Sequence, residues 1–169
     1  QWRKNGRSRH QSMVSFSHLS MTEDPISILF YTFRKKNYMQ TLNQDIKNND
    51  FKRVYLLFGE ESFLKKSYKN RLREAITQGD TMNYNYYEGK GINVNEIISL
   101  SDTMPFFADR RLILMEDSGW FKGGPGADEM CAYIENIPDT TCLLFVETEV
   151  DKRSRMYKAV KKYGHIAEM

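Results

Sequence analysis

The chain predicts an α/β domain of three layers, with a five-stranded parallel sheet covered by helices on both faces. Two observations carry this. From residue 54 onward short apolar runs alternate with stretches of helical periodicity, in strict order. The apolar runs are nearly continuous rather than alternating, as strands buried on both faces are. A length of 169 residues suits one such domain with room for a core.

In order, residues 54–58 (VYLLF) form the first strand, ended by Gly59. Helix 62–77 follows, with Leu64, Tyr68, Leu72, Ala75 and Ile76 on one stripe, Ser62 as the expected N-cap and Gly79 just past the end. The Tyr-rich segment 82–87 reads as a second strand. Val94, Ile97 and Ile98 mark a short helix that stops before Pro105. Residues 111–115 (RLILM) form a third strand and 141–146 (TCLLFV) a fourth. Between them lies a glycine-rich loop, residues 119–126, and a helix 127–136 burying Ala127, Met130, Cys131 and Ile134. Trp120 and Phe121 in that loop are expected to pack locally rather than anchor a partner. Helix 154–163 turns Met156, Tyr157, Val160 and Tyr163 inward, with Asp151 expected to cap it and Gly164 to end it. Residues 165–168 supply the fifth strand.

The first 38 residues read differently. They hold seven Lys/Arg against Glu23 and Asp24 and show no sustained periodicity, and their apolar run at 26–33 (ISILFYTF) is too short to span a membrane. Residues 1–38 are therefore expected to be a disordered or non-native extension, from a mis-assigned start or an added segment. The domain is expected to occupy 39–169, opening with a short helix near Thr41. That body carries 18 basic and 20 acidic residues, which argues against avid autonomous DNA binding. Cys131 and Cys142 belong to no CxxC pair and read as small buried hydrophobes in a reducing compartment. His10, His18 and His165 are too scattered for a metal site.

The strand–glycine–helix layout at 54–67 is that of a phosphate-binding loop, G-x-x-x-x-G-K-[ST]. Counting from Gly59, Lys65 occupies the lysine position. Leu64 stands where the second glycine allows close backbone approach, and Lys66 where a hydroxyl would hold magnesium. Glu60 and Glu61 set negative charge against an anionic ligand; each such contact at ~4 Å costs roughly 4 kcal/mol at an effective dielectric of about 20. Glu116 and Asp117 after the third strand imitate a magnesium-binding end but carry little alone. The layout survives, and the loop is expected to be non-functional, with no cofactor.

Three stretches, "LNQDIKNNDFKRVYLLFGEESFL" (42–64), "TMPFFADRRLILME" (103–116) and "LLFVETEVDKRSRMYKAVKKYG" (143–164), together resemble the delta subunit of the bacterial DNA polymerase III clamp loader. The resemblance spans about 39–169. It implies an AAA+-like first domain that has lost ATP binding. It also implies a helical second domain and a collar domain that this chain is expected to lack. It implies a protein that binds and opens the ring-shaped sliding clamp (the beta subunit) during replication. The other partners implied are the tau/gamma and delta-prime subunits, through the missing domains, with DNA an indirect partner, no membrane and a cytoplasmic location. No catalytic residue is expected within this subunit of a DNA-directed DNA polymerase holoenzyme.

In the family two adjacent large apolar residues just before the third strand contact the clamp. That pattern falls on Phe106 and Phe107, with Met104 and Pro105 beside them. Read as residue types alone, Met104 and Phe106 could equally pack beneath the short helix. Their place in a loop, between Asp102 and Asp109-Arg110-Arg111, argues for an exposed tip needing a partner. Asp151-Lys152-Arg153 matches a further family stretch and reads either as a helix cap with solvated cations or as a subunit contact. Two other functions compete: a P-loop NTPase or nucleotide kinase with a divergent loop, and a single-strand nucleic-acid binder using the tyrosines at 84–87.

Overall fold

The computed structural model describes residues 25–169. Residues 1–24 of the extension expected over 1–38 lie outside the described residues. The elements are α1 (Pro25–Asn48), β1 (Val54–Phe58), α2 (Ser62–Thr77), β2 (Tyr84–Glu88), α3 (Val94–Ser101), β3 (Arg111–Glu116), α4 (Ala127–Tyr133), β4 (Thr141–Glu147), α5 (Arg155–Tyr163) and β5 (His165–Glu168). Short 3-10 turns at Trp120–Lys122 and Ile134–Asn136 flank α4. All strand pairs are parallel, in the order β2-β3-β4-β1-β5. The fold class expected from the sequence is the fold observed.

The pleat sorts each strand's residues between two cores. Val54, Leu56 and Phe58 of β1, Ile113 and Met115 of β3, and Leu143 and Phe145 of β4 share a cluster with α3, α4 and α5. Tyr55, Leu57, Leu112, Leu114, Cys142 and Leu144 point the other way, onto α1 and α2. Both faces are covered, which is why the strands are apolar at consecutive positions. Trp120 and Phe121 are 1% and 0% exposed and pack edge-on against Phe145, as their local role required. Cys142 is buried and Cys131 half-buried, both as free thiols.

Several local expectations are corrected. The short helix near Thr41 is the end of a longer one: α1 runs from Pro25 without a break through Met39. Its later part docks, with Leu42 fully buried and Asp45 accepting the Tyr55 hydroxyl at 2.9 Å. The N-cap of α2 is Glu61, not Ser62, and it makes no side-chain cap bond. The N-cap of α5 is Ser154, whose Oγ accepts from the Tyr157 amide at 3.1 Å. Asp151 instead forms its own turn, its Oδ1 accepting from the Arg153 amide at 2.8 Å. β2 begins at Tyr84 rather than 82, because a turn at Asp80 engages Met82 and Asn83. Among the described residues no helix is long and apolar enough to cross a membrane.

Candidate functional site

Parallel strands give the sheet two chemically distinct edges. The degenerate phosphate loop follows β1 at the carboxyl edge, where nucleotide ligands of such sheets bind. Gly59 adopts φ +122°, and a Cβ placed on it would lie 2.0 Å from the Met169 carbonyl oxygen. That carbonyl accepts a long bond, 3.4 Å, from the Glu61 amide, and the Met169 amide donates to the Phe58 carbonyl at 2.8 Å. Backbone of β5's end thus lies against the loop where a phosphate would need open amides. Lys65 is buried, and its Nζ donates to the Glu147 carbonyl at 3.2 Å. A lysine in a working loop reaches the phosphates instead. Lys66 is exposed and lines, with Ser62, Lys65, Lys69, Glu116 and Asp117, a shallow cavity of about 220 Å³.

Three acidic residues of this edge, Glu116, Asp117 and Glu147, already have partners. Glu116 pairs with Lys69 at 2.5 Å. Asp117, at φ +47°, accepts from the Thr148 amide at 2.9 Å. Glu147 is buried and accepts from both the amide (3.1 Å) and the hydroxyl (2.6 Å) of Ser118. Burial pushes its carboxyl up to about 7, against the downward pull of the Ser118 bonds. The residues present do not fit a nucleotide or its magnesium: the cradle is filled, the lysine is turned inward and no hydroxyl follows it.

The opposite, amino edge carries the apolar tip. Between α3 and β3 the chain runs without regular structure, and Met104, Phe106 and Phe107 stand out at 72%, 54% and 95% exposure. Pro105 is half-buried between them. The core reading of Met104 and Phe106 is therefore replaced by an exposed one. The two phenyl rings meet edge to face, centroids 4.5 Å apart. Phe107 sits at φ +51°, a conformation rare for a bulky side chain. A groove of about 580 Å³ adjoins it, lined among others by Phe51, Ile76, Phe107 and Arg110.

Sequence reasoning missed what holds this tip. Asn83, buried at the foot of β2, grips Phe106 through both backbone groups: its Oδ1 accepts the Phe106 amide at 2.7 Å and its Nδ2 donates to the Phe106 carbonyl at 2.8 Å. The buried Arg111 guanidinium donates to the carbonyls of Leu100 (2.8 Å) and Met104 (3.4 Å). Exposed Met82 precedes Asn83 and adds a fourth large apolar residue to this edge. The signal available beforehand was an asparagine within the strand expected at 82–87, a residue type more usual in turns than in strands.

Asp151, Lys152 and Arg153 lie at the carboxyl edge, away from the tip. Lys152 reaches both oxygens of Glu168, at 2.7 and 2.8 Å, and lies over the Phe58 ring. Arg153 projects outward with its Nε 3.2 Å from Asp151. Two of the three tyrosines of β2 turn their hydroxyls to carboxylates, Tyr86 to Glu88 and Tyr87 to Glu96, both at 2.8 Å, while Arg73 lies over the ring of Tyr84. A phosphate backbone would meet negative charge there, which disfavours single-strand binding. Among the described residues no group of three or more His, Cys, Asp or Glu is placed to hold a metal.

Comparison with known proteins places this geometry in context. A family model described as DNA polymerase III, delta subunit, matches residues 55–169. The DNA polymerase III subunit delta of Bacillus subtilis (strain 168) is 24% identical over 136 residues, covering 74% of this chain and 39% of that protein. Among solved structures, the Bacillus subtilis DNA clamp loader delta protein YqeN superposes with a TM-score of 0.68 at 20% identity, over 77% of this chain and 42% of that one. A DNA polymerase III gamma subunit-related protein of Thermotoga maritima gives 0.53 at 13% identity, over 78% and 45%. These structural likenesses establish the fold. The chain spans about two fifths of the length of these Bacillus subtilis relatives.

Proposed function

The chain belongs to the DNA polymerase III delta-subunit family, and from that premise we propose that it is the part of a clamp loader that binds and opens the sliding clamp for loading onto primed DNA. The observation that carries the reading is the exposed Phe106–Phe107 pair, held out at the amino edge of a sheet whose nucleotide edge is filled. Met104 and Pro105 flank the pair as secondary contacts. An apolar tip of this kind gains stability only by entering an apolar pocket. If that pocket opens fully only when the ring interface is distorted, the tip binds the distorted state better and populates it. Opening then needs no bond chemistry, and the subunit needs no catalytic residue of its own within the polymerase holoenzyme. ATP-driven steps fall to other subunits, and this domain works without nucleotide.

Contacts with tau/gamma and delta-prime belong, in this reading, to regions of the relatives beyond the span matched here. DNA is met indirectly, through the clamp, and the site of work is the cytoplasm. Arg153, with Asp151 and Lys152, is a candidate subunit contact. The NTPase or nucleotide-kinase reading is disfavoured by the inward Lys65 and the Met169 backbone over Gly59. The test is co-migration of the chain with the purified sliding clamp of the same organism in gel filtration, with a surface-bound titration for affinity. A stoichiometric complex is expected; two separate peaks at every concentration would remove the proposal.

A further inference from the structure

Loops that end in large apolar side chains tend to collapse onto the surface they leave, because collapse hides apolar area. This one does not, and the reason is visible beneath it. Asn83 is 1% exposed and lies 23 residues from Phe106 in sequence. Its side-chain amide pairs with the Phe106 amide and carbonyl as a neighbouring strand would, at 2.7 and 2.8 Å. The remaining hydrogen of Nδ2 goes to Asp80 Oδ2 at 2.6 Å, which orients the amide, since only nitrogen can donate to a carboxylate. The Asn83 backbone carbonyl accepts from the Leu112 amide at 2.9 Å, fixing the residue to β3. Every polar group of Asn83's side chain is thus engaged.

Arg111 holds the other side of the loop through the Met104 carbonyl. With Met104 and Phe106 anchored by their backbones, Phe107 is carried into its left-handed conformation, and its ring projects at 95% exposure. A left-handed phenylalanine persists only where the surroundings over-determine it, and such residues gather at functional sites. Binding through a loop already fixed in its bound shape avoids the ordering loss that a mobile loop suffers.

We infer that Asn83 is a positioning residue that preforms the Phe106–Phe107 tip for docking, a role that rests on the clamp-binding reading above and predicts a specific dependence on a side chain that never touches the partner. The test is a double-mutant cycle of Asn83→Ala and Phe107→Ala in the full chain, titrated against the purified clamp. Asn83→Ala alone should weaken binding about tenfold, the scale of ordering one or two rotamer-rich side chains. In the Phe107→Ala background the same change should weaken it less than about threefold, because the more exposed of the two rings it positions is gone and only Phe106 remains to be held. Backbone amide exchange supplies a partner-free readout: the Phe106 amide should be protected in the parent chain and exposed to exchange in Asn83→Ala.

Equal losses in both backgrounds, or unchanged affinity for Asn83→Ala, would overturn the positioning role while leaving the clamp reading intact. Unchanged affinity for Phe107→Ala together with Phe106→Ala would instead remove the docking tip itself, and the role of Asn83 with it. If Asn83→Ala fails to fold, Asn83→Asp keeps the volume and the acceptor for the Phe106 amide but loses both donors, and the same cycle applies. Should neither variant fold, rapid exchange of the Phe106 amide in the parent chain would still refute a preformed tip.

Discussion

Replacing Phe106 and Phe107 together by alanine tests the docking tip most directly. Full burial of one phenylalanine from water stabilises by about 1.5–3 kcal/mol. Phe107 has nearly all of that to gain on binding, at 95% exposure, and Phe106 about half, at 54%. The pair can therefore contribute roughly 2–4.5 kcal/mol to association, or about 30- to 2000-fold in affinity, a scale usual for interface hot spots. The folded chain loses little, since what the rings surrender is mainly their own edge-to-face contact. Relief of the positive φ at Phe107 does not follow, because alanine meets the same steric limit. The assay is a clamp titration beside a thermal melt of each protein. Expected is an affinity loss of at least about 30-fold with a melting temperature shifted by no more than a few degrees. A double variant that melts far earlier, while its folded fraction binds the clamp normally, would show that the rings support the core and that docking lies elsewhere.

Three further outcomes are expected. Calorimetric titration with magnesium-ATP should show no binding at low micromolar affinity; a clear single-site isotherm would mean that the Met169 backbone and Lys65 move aside. Removing residues 1–38 should lower the melting temperature by less than about 8 °C, the scale of roughly 2 kcal/mol for such a domain, the described loss including the edge contact of Tyr38 with His165; a larger drop would mean that the segment contributes more to the domain than that contact. Glu147, with a folded pKa near 7 against about 4.5 when unfolded, makes stability fall as pH rises between those values and leaves it flat above, so Glu147→Gln should gain on the parent between pH 5 and pH 8 by up to about 3 kcal/mol in denaturant melts. A parent-minus-variant difference that does not change with pH would refute the buried acid.

Most of the sheet was legible because its strands are buried on both faces, and a run such as VYLLF has no other economical place in a small domain. Helix α2 was legible for the opposite reason: Tyr68, Leu72 and Ile76 repeat at one helical spacing between polar residues. Boundaries were harder where two residues could serve one purpose. Asp151 and Ser154 are both good caps, three residues apart, and the choice fell to Ser154 because Asp151's carboxylate had the Arg153 amide within reach. The run at 26–33 belongs to α1, although it shows no apolar stripe by which a helix could be recognised. At the site, the failed phosphate loop could be read residue by residue, because a motif fixes both identity and spacing. The fate of Lys65 could not, since its partner, the Glu147 carbonyl, is 82 residues away and any residue supplies a carbonyl. Asn83 was hidden in the same way: a contact to backbone leaves no trace in the partner's identity.

The two edges of the sheet have diverged in what they offer a partner, and the divergence follows from one topology. Parallel strands place the loops after β1 and β3 on one edge and the loops before β2 and β3 on the other. On the carboxyl edge Lys65, Lys69 and Glu147 have partners within the fold, and the exposed Lys66 stands where a hydroxyl would be needed for magnesium. Lys65 points to a carbonyl, Lys69 to Glu116, and Glu147 to Ser118. On the amino edge the polar groups are turned inward to hold backbone, and the apolar ones are turned outward. A catalytic site requires polar groups aimed at a ligand; a docking tip requires apolar groups fixed in space by polar groups aimed at the chain. The arrangement of Asn83 and Arg111 beneath Met104, Phe106 and Phe107 is of the second kind, which is what the docking proposed for this edge requires.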